Sequence, residues 1–270
     1  MASVKLSVII VAKNEEKDIE DCLKSVQWAK EIIFVDTGST DKTLSIARRY
    51  SVKITNYSFK KFEYDTWRNI GLKAASGEWV LYLDADERIT PELKKEIQKT
   101  LLAAKFNAYM IPRRNFLLGK ELHWGGWWPG YVKRLFRKNS LKGWINHLHE
   151  EPVFEGEFGY LKEPMIHLQP ETIEPMLKKS IEWSKLEAKM LYNSQHPPVV
   201  WWRVLRMGLT TLFERMFRKQ GFRDGVEGMI ESCYQAFHTM IVYVQLWEMQ
   251  CQNQKSPPKA GPPQAEKIKN

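Results

Sequence analysis

A chain of 270 residues with 43% apolar and 27% charged side chains reads as an ordinary globular protein of one large domain or one and a half. A formal net charge of +9 points to an anionic partner: nucleic acid, a phosphorylated substrate or an acidic membrane face. Three scattered cysteines, Cys22, Cys233 and Cys251, exclude a disulfide framework and a zinc cluster and indicate a reducing compartment.

The opening "KLSVIIVA" is a β-branched run and reads as a first strand. It is too short, and too soon followed by Asn14 and Glu15, for a signal peptide. In "EEKDIEDCLKSVQWA", Ile19, Leu23 and Val26 share one helical face. "EIIFVDTG" is a second strand, "STDKTLSIARRYS" a helix opened by capping residues, and "VKITNY" a short third strand. "DTWRNIGLKAAS" predicts a helix closed by Gly77, and "EWVLYLD" a fourth strand. The next helix, "TPELKKEIQKTLLAA", takes Thr90 as cap and Pro91 as its first residue.

Strands alternating with helices predict an α/β protein with a mostly parallel sheet covered on both faces. From Asn107 short strands and aromatic loops take over, and from Glu171 three long helical segments follow. The expected division is therefore 1–170, in halves 1–106 and 107–170, then a helical region 171–250. A Pro- and Lys-rich tail, 251–270, is expected to be disordered. No stretch has the length of a membrane-spanning helix.

In such sheets ligands sit beyond the carboxyl ends of the strands. Three of those ends carry polar side chains: Asn14 and Glu15, then Asp36, then Asp84 and Asp86. The spacing Asp84-x-Asp86 on an extended segment puts both carboxylates on one side, where one hard cation can serve both. The competing reading is an acidic turn that caps the next helix. Asp36 and the Asn14–Glu15 pair can accept hydrogen bonds from a nucleobase or ribose, and Arg68 can supply a cation for the nucleotide. Read blandly, Asp36 begins a turn and Arg68 lies on a solvated helix face. In "GGWWPG", Trp127 and Trp128 suit the apolar face of a pyranose, or packing beneath a pocket. Of Arg134 and Arg137, one is expected to face the site.

"SVIIVAKNEE", "IIFVDTGSTDKT" and "WRNIGLKAASGEWVLYLDADE", in this order, resemble the family 2 glycosyltransferases of the GT-A fold. "VKRLFRK", "NHLHEE" and "GFRDGVEG…LWEMQ" are similar to lipopolysaccharide core β-glucosyltransferases acting on heptose. The resemblance implies a GT-A core, a Rossmann-like mixed sheet with helices on both faces, and a C-terminal helical extension. It implies Asp36 at the nucleoside, Asp84 near ribose or sugar, and Asp86 on Mg2+ or Mn2+. His167 is a candidate third ligand to the metal or diphosphate, and equally a core histidine satisfied by backbone. Such enzymes invert the anomeric centre in one displacement, so a carboxylate must take the acceptor proton. In "HLHEEP" Glu150 is the first candidate and Glu151 the second, where the family more often has Glu-Asp.

The expected function is transfer of a hexose, glucose from UDP-glucose, onto a lipid-linked saccharide such as lipopolysaccharide inner core. The place expected is the inner face of the cytoplasmic membrane, peripherally bound. The alternatives are a polyprenyl-phosphate hexosyltransferase and a non-catalytic nucleotide-sugar-binding protein. Nucleic acid is not an expected partner, because acidic strand ends repel phosphate. The segment "VVWWRVLRMGLTTLFERMFRKQGFR" mixes aromatics with arginines, which suits an anionic bilayer surface or a helix packed on the catalytic domain.

Overall fold

The computed structural model describes residues 5–57, 63–146 and 150–255. The first half alternates β1 (Leu6–Ala12), α1 (Ile19–Val26), β2 (Glu31–Asp36), α2 (Thr43–Ala47), β3 (Lys53–Asn56), α3 (Tyr64–Ala74), β4 (Trp79–Asp84), β5 (Glu87–Arg88) and α4 (Pro91–Leu102). Strands β6 (Ala108–Leu117), β7 (Lys120–Leu122), β8 (Gly130–Arg137), β9 (Leu141–Ile145), β10 (Glu151–Phe154), β11 (Phe158–Tyr160) and β12 (Met165–Leu168) follow. Three long helices come last: α5 (Ile173–Asn193), α6 (Trp201–Phe213) and α7 (Gly225–Lys255).

The main sheet has the order β3-β2-β1-β4-β8-β6-β12-β5. β1 pairs in parallel with β2 and β4, β8 enters antiparallel between β4 and β6, and β12 runs parallel to β6. The continuous apolar runs are explained by burial on both faces. Val8, Ile10, Phe34, Leu81 and Leu83 pack under α1 and α4. Their alternates Ile9, Ile33, Val35, Val80 and Tyr82 pack against Trp67 of α3 and Trp144 of β9. Each such aliphatic side chain contributes ~1.5–3 kcal/mol by leaving water.

Helix α4 starts as expected: the Thr90 hydroxyl accepts from Leu93 N at 3.1 Å, with Pro91 in the first turn. Helix α3 does not close at Gly77. It ends at Ala74, and Ala75 is already extended with ψ 137°. Gly77 is required for a different reason. A Cβ there would lie 2.7 Å from both the Lys5 carbonyl and the Ser7 hydroxyl, where the chain enters β4 against β1.

Helices α6 and α7 pair antiparallel, with Gly208 against Ala236 and Met240, and Val199 N donating to Gln250 Oε1 at 2.9 Å. Helix α5 lies along α7, joined by Ser180 Oγ and His238 Nδ1 at 2.6 Å and by Tyr234 OH donating to Met176 O at 3.1 Å. Helix α7 continues to Lys255, into the segment read as a tail, and residues 256–270 lie outside the described residues. The helices are tied to the sheet domain by Asp224, whose carboxylate accepts from His123 N (3.0 Å) and Trp124 N (2.7 Å). Among the described residues no helix is long and apolar enough to cross a membrane.

Within this helical layer Glu231 is 2% exposed, and only Oε1 has a hydrogen-bond partner, Gln235 Nε2 at 2.7 Å. Burial pushes its carboxyl up to about 7. A raised acid favours the folded state while protonated, so its contribution is complete below about pH 4.5 and is lost by about pH 7. A shift of this size corresponds to about 3 kcal/mol. Glu231→Gln is therefore expected to gain stability relative to wild type between about pH 5 and pH 8 in urea unfolding. An offset equal at both pH values would contradict the assignment.

Candidate active site

The carboxyl ends of β1, β2 and β4 gather the polar residues singled out above. The loop after β1 and the loop after β2 are stitched together. Asn14, at φ 56°, accepts Thr40 N on Oδ1 (2.8 Å), and Glu15 N donates to Thr43 Oγ1 (2.7 Å). Asp36 is buried and accepts from Ser39 N at 3.2 Å. Asn14 thus spends its side chain holding the loop. Asp36 organises the turn that follows it: Oδ2 accepts from Gly38 N (3.4 Å) and Ser39 N (3.3 Å), which leaves Oδ1 a second lone pair for a ligand. Glu15 lies close enough to Asp86 to feel its charge. Burial first, then Asp86, Asp18 and Asp41, push the Glu15 carboxyl up to about 7, with Lys179 of α5 opposing.

Asp84 and Asp86 do not share one side of a strand. The extended conformation ends at Asp84 and a turn follows, so the two carboxylates enter different environments. Asp84 Oδ1 meets Arg68 at 3.3 Å, and Oδ2 is bound by Arg134. Burial alone would raise the Asp84 pKa, yet the Arg134 and Arg68 guanidiniums hold it well below the usual carboxylate range. Arg134 also binds Glu87 Oε1 at 2.7 Å. Glu87, with a fully buried side chain, additionally takes Arg113 (3.2 Å) and Asp84 N (3.0 Å). The third carboxylate of the cluster is therefore internal scaffolding.

Arg68 is engaged with two carboxylates across the fold. It is 6% exposed and lies over Tyr82 and Trp144, 5.5 and 4.9 Å from their centroids. Its Nε donates to Glu150 Oε1 at 2.9 Å while its Nη2 meets Asp84. One guanidinium thus fixes the position of Glu150 relative to the end of β4. Glu151 points elsewhere: its half-exposed side chain pairs with Lys133 on the surface. Of the two base candidates only Glu150 reaches the cluster. His147 to His149 lie outside the described residues.

Asp86 faces His167. β12 pairs with β5 and β6, which sets His167 opposite Glu87 and beside Asn115. His167 Nε2 is 3.3 Å from Asp86 Oδ2, and Nδ1 is 2.8 Å from Asn115 Oδ1. The Asn115 amide orientation follows from its NH2, which donates to the carbonyls of Arg113 and Trp127, both at 3.2 Å. Asn115 Oδ1 can only accept, so Nδ1 carries the proton. A neutral His167 then presents a lone pair to a carboxylate, an arrangement that needs a proton or a metal ion between the two. Among the described residues no three His, Cys, Asp or Glu side chains gather as a metal set.

A scan against family models matches residues 7–152 to "Glycosyl transferase family 2". The chain belongs to glycosyl transferase family 2. Among its curated relatives is the lipopolysaccharide core biosynthesis glycosyltransferase LpsC of Rhizobium meliloti (strain 1021), 26% identical over 90% of this chain and 92% of that one. An uncharacterized glycosyltransferase of Rickettsia bellii (strain RML369-C) is 27% identical over 92% and 88% of the two chains. Among solved structures, S. aureus TarS 1-349 in complex with UDP-GlcNAc superposes with a TM-score of 0.51 at 17% identity, covering 93% of this chain and 92% of that one. The fold is thus GT-A with a C-terminal helical extension.

Several residues of the candidate site had a divided signal in sequence, or none. Arg134 was one of two candidates three positions apart, and only burial distinguishes it from Arg137, which pairs with the exposed Glu78. Asn115 carries no signal in sequence, because its role depends on the β6–β12 register. Trp183 of α5 stacks at 5.7 Å on Tyr64 beside the site, and Lys179 lies over Trp183 at 5.5 Å. Their i, i+4 spacing was visible, but not the element they would face. In the aromatic loop, Gly125 and Gly126 have φ of 67° and 88°, Trp127 packs in a cluster with Leu117, Leu122 and Met176, and Trp128 remains 40% exposed.

Proposed function

We propose that this protein is a metal-dependent inverting hexosyltransferase that moves glucose from UDP-glucose onto a lipid-linked saccharide, with lipopolysaccharide inner core as the acceptor. It would work peripherally at the inner face of the cytoplasmic membrane. The observation that carries the reading is the Arg68 bridge, which holds Glu150 within one guanidinium of the β4 end, next to the Asp86–His167 pair. Likeness to LpsC along nearly the whole of both chains supports the choice of acceptor.

In this reading Asp36, Asn14 and Glu15 border the nucleoside, and Asp84 accepts from a ribose or sugar hydroxyl through lone pairs its two arginines leave open. Asp86 and His167 would hold Mg2+ or Mn2+, leaving the remaining positions to diphosphate oxygens and water. When bound, that ion offsets the charge that builds on the departing diphosphate. Glu150 takes the proton of the acceptor hydroxyl as it attacks the anomeric carbon from the face opposite the nucleotide. Arg68 keeps the Glu150 carboxylate oriented during the transfer, and Arg134 does the same for Asp84.

Incubation with UDP-glucose, Mn2+ and isolated lipopolysaccharide core acceptors, followed by mass spectrometry and NMR of the product, tests this. A hexose added in β-linkage is expected from the α-linked donor. An α-linked product would contradict the single displacement, and glucosylated polyprenyl phosphate would favour the other acceptor class.

A further inference from the structure

Resting on the peripheral membrane placement proposed above, we propose that the outward face of the α6–α7 pair is a docking surface for an anionic lipid bilayer, inserting side chains from both helices into one leaflet. On α6, Trp201, Leu205, Leu209 and Phe213 recur every fourth residue, and they are 77%, 47%, 66% and 62% exposed. On α7, Val226, Ile230 and Phe237 form a second exposed stripe.

The two stripes lie on the same side of the pair. Gly208 of α6 and Ala236 of α7 face each other, and Leu209 and Phe237 each come one residue later, about 100° around their helices. Viewed from one end, antiparallel helices turn in opposite senses, so the same step from a shared contact carries both side chains to one side. The result is a two-helix apolar plane.

The charge around the plane selects the occupant. From Val200 to Phe213 there is no carboxylate, while Arg203 and Arg206 flank Trp202 with their guanidiniums 5.7 and 5.5 Å from its ring centroid. Beyond Phe213 the exposed Arg218 pairs with Glu214 at 3.0 Å, while Arg215, Lys219 and Arg223 lie against the aromatic loop at Trp124 to Trp127. Glu248 stands alone at the far end of α7. An apolar centre with a cationic rim and tryptophans at its edge matches the depth profile of an anionic bilayer surface.

Two other occupants fit less well. The tail 256–270 offers a single large apolar side chain, Ile268, to cover the plane. A second copy paired face to face would bring the arginines of α6 against one another. The α6 helix is ~20 Å long, and no described helix can cross a membrane, so the geometry is that of a helix pair lying in the interface.

Co-sedimentation of the full chain with phosphatidylcholine vesicles, with and without phosphatidylglycerol, tests the surface. Wild type is expected to partition onto the anionic vesicles and to be released by high salt. The exposed double substitution Leu209→Glu/Phe213→Glu is expected to weaken partitioning by at least about ten-fold, with thermal unfolding and UDP binding unchanged. Arg206→Glu gives an independent reading through charge alone: weaker binding to anionic vesicles. Failure of wild type to bind anionic vesicles, or binding by both variants equal to that of wild type, would overturn the proposal. So would a concentration-dependent dimer that the double substitution abolishes in the absence of vesicle binding.

Discussion

Glu150→Gln is expected to lower kcat by about 10²–10⁴-fold while leaving nucleotide binding and the fold intact. The amide keeps the volume of the side chain but cannot take a proton from the acceptor hydroxyl. Arg68 Nε now donates to Glu150 Oε1 at 2.9 Å, and the amide oxygen can accept the same bond. Loss of activity would then reflect lost basicity and not lost position. Glu151→Gln, at the Lys133 surface pair, is expected to stay within about three-fold of wild type, as surface changes usually do. Steady-state rates of UDP release for the two variants decide the matter. Full activity in Glu150→Gln would remove the base from the mechanism and favour a phosphate acceptor, which needs little proton abstraction.

Arg134→Met should cost about 3–5 kcal/mol of folding free energy, the range for removing one partner of a buried charge network. Arg134 is 5% exposed and holds both Asp84 and the fully buried Glu87. Methionine nearly preserves the apolar stem but leaves Glu87 with Arg113 as its remaining cation. Adding Glu87→Gln to Arg134→Met should recover part of the loss, since the orphaned charge is then gone. Denaturant unfolding of the two single variants and the double closes this cycle. A loss below about 1 kcal/mol in Arg134→Met, as for an exposed ion pair, would show that the cluster is far better solvated than its burial indicates.

The parallel core was legible because burial on both faces leaves a plain mark: VIIV, IIFV and WVLYL are continuous apolar runs, and each occupies the predicted strand. The gathering of polar side chains at the strand ends followed from that pattern. Two details did not. Asp84-x-Asp86 was read with strand periodicity, but the strand stops at Asp84 and the turn sends Asp86 to His167. The carboxylate partners of Arg68 are invisible in sequence, because a helix position tells nothing about which carboxylates wait across the fold. Its partners lie 16 and 82 residues away in sequence. Gly77 likewise marked a helix end in sequence, whereas its necessity comes from contact with β1. Local pattern thus fixed which residues are polar at the strand ends. Long-range register determined which of them are committed to one another.

In the proposed function Asp86 and His167 complete a donor site for a nucleoside diphosphate sugar with a divalent ion. Thermal unfolding of wild type and Asp86→Ala, each with UDP or UDP-glucose and with or without Mn2+, tests it most directly, since ligand bound to the native state raises apparent stability by mass action. Wild type is expected to show a rise that requires nucleotide and Mn2+ together, and Asp86→Ala is expected to show none. A nucleotide-dependent rise of equal size in both proteins, or none in wild type, would contradict it.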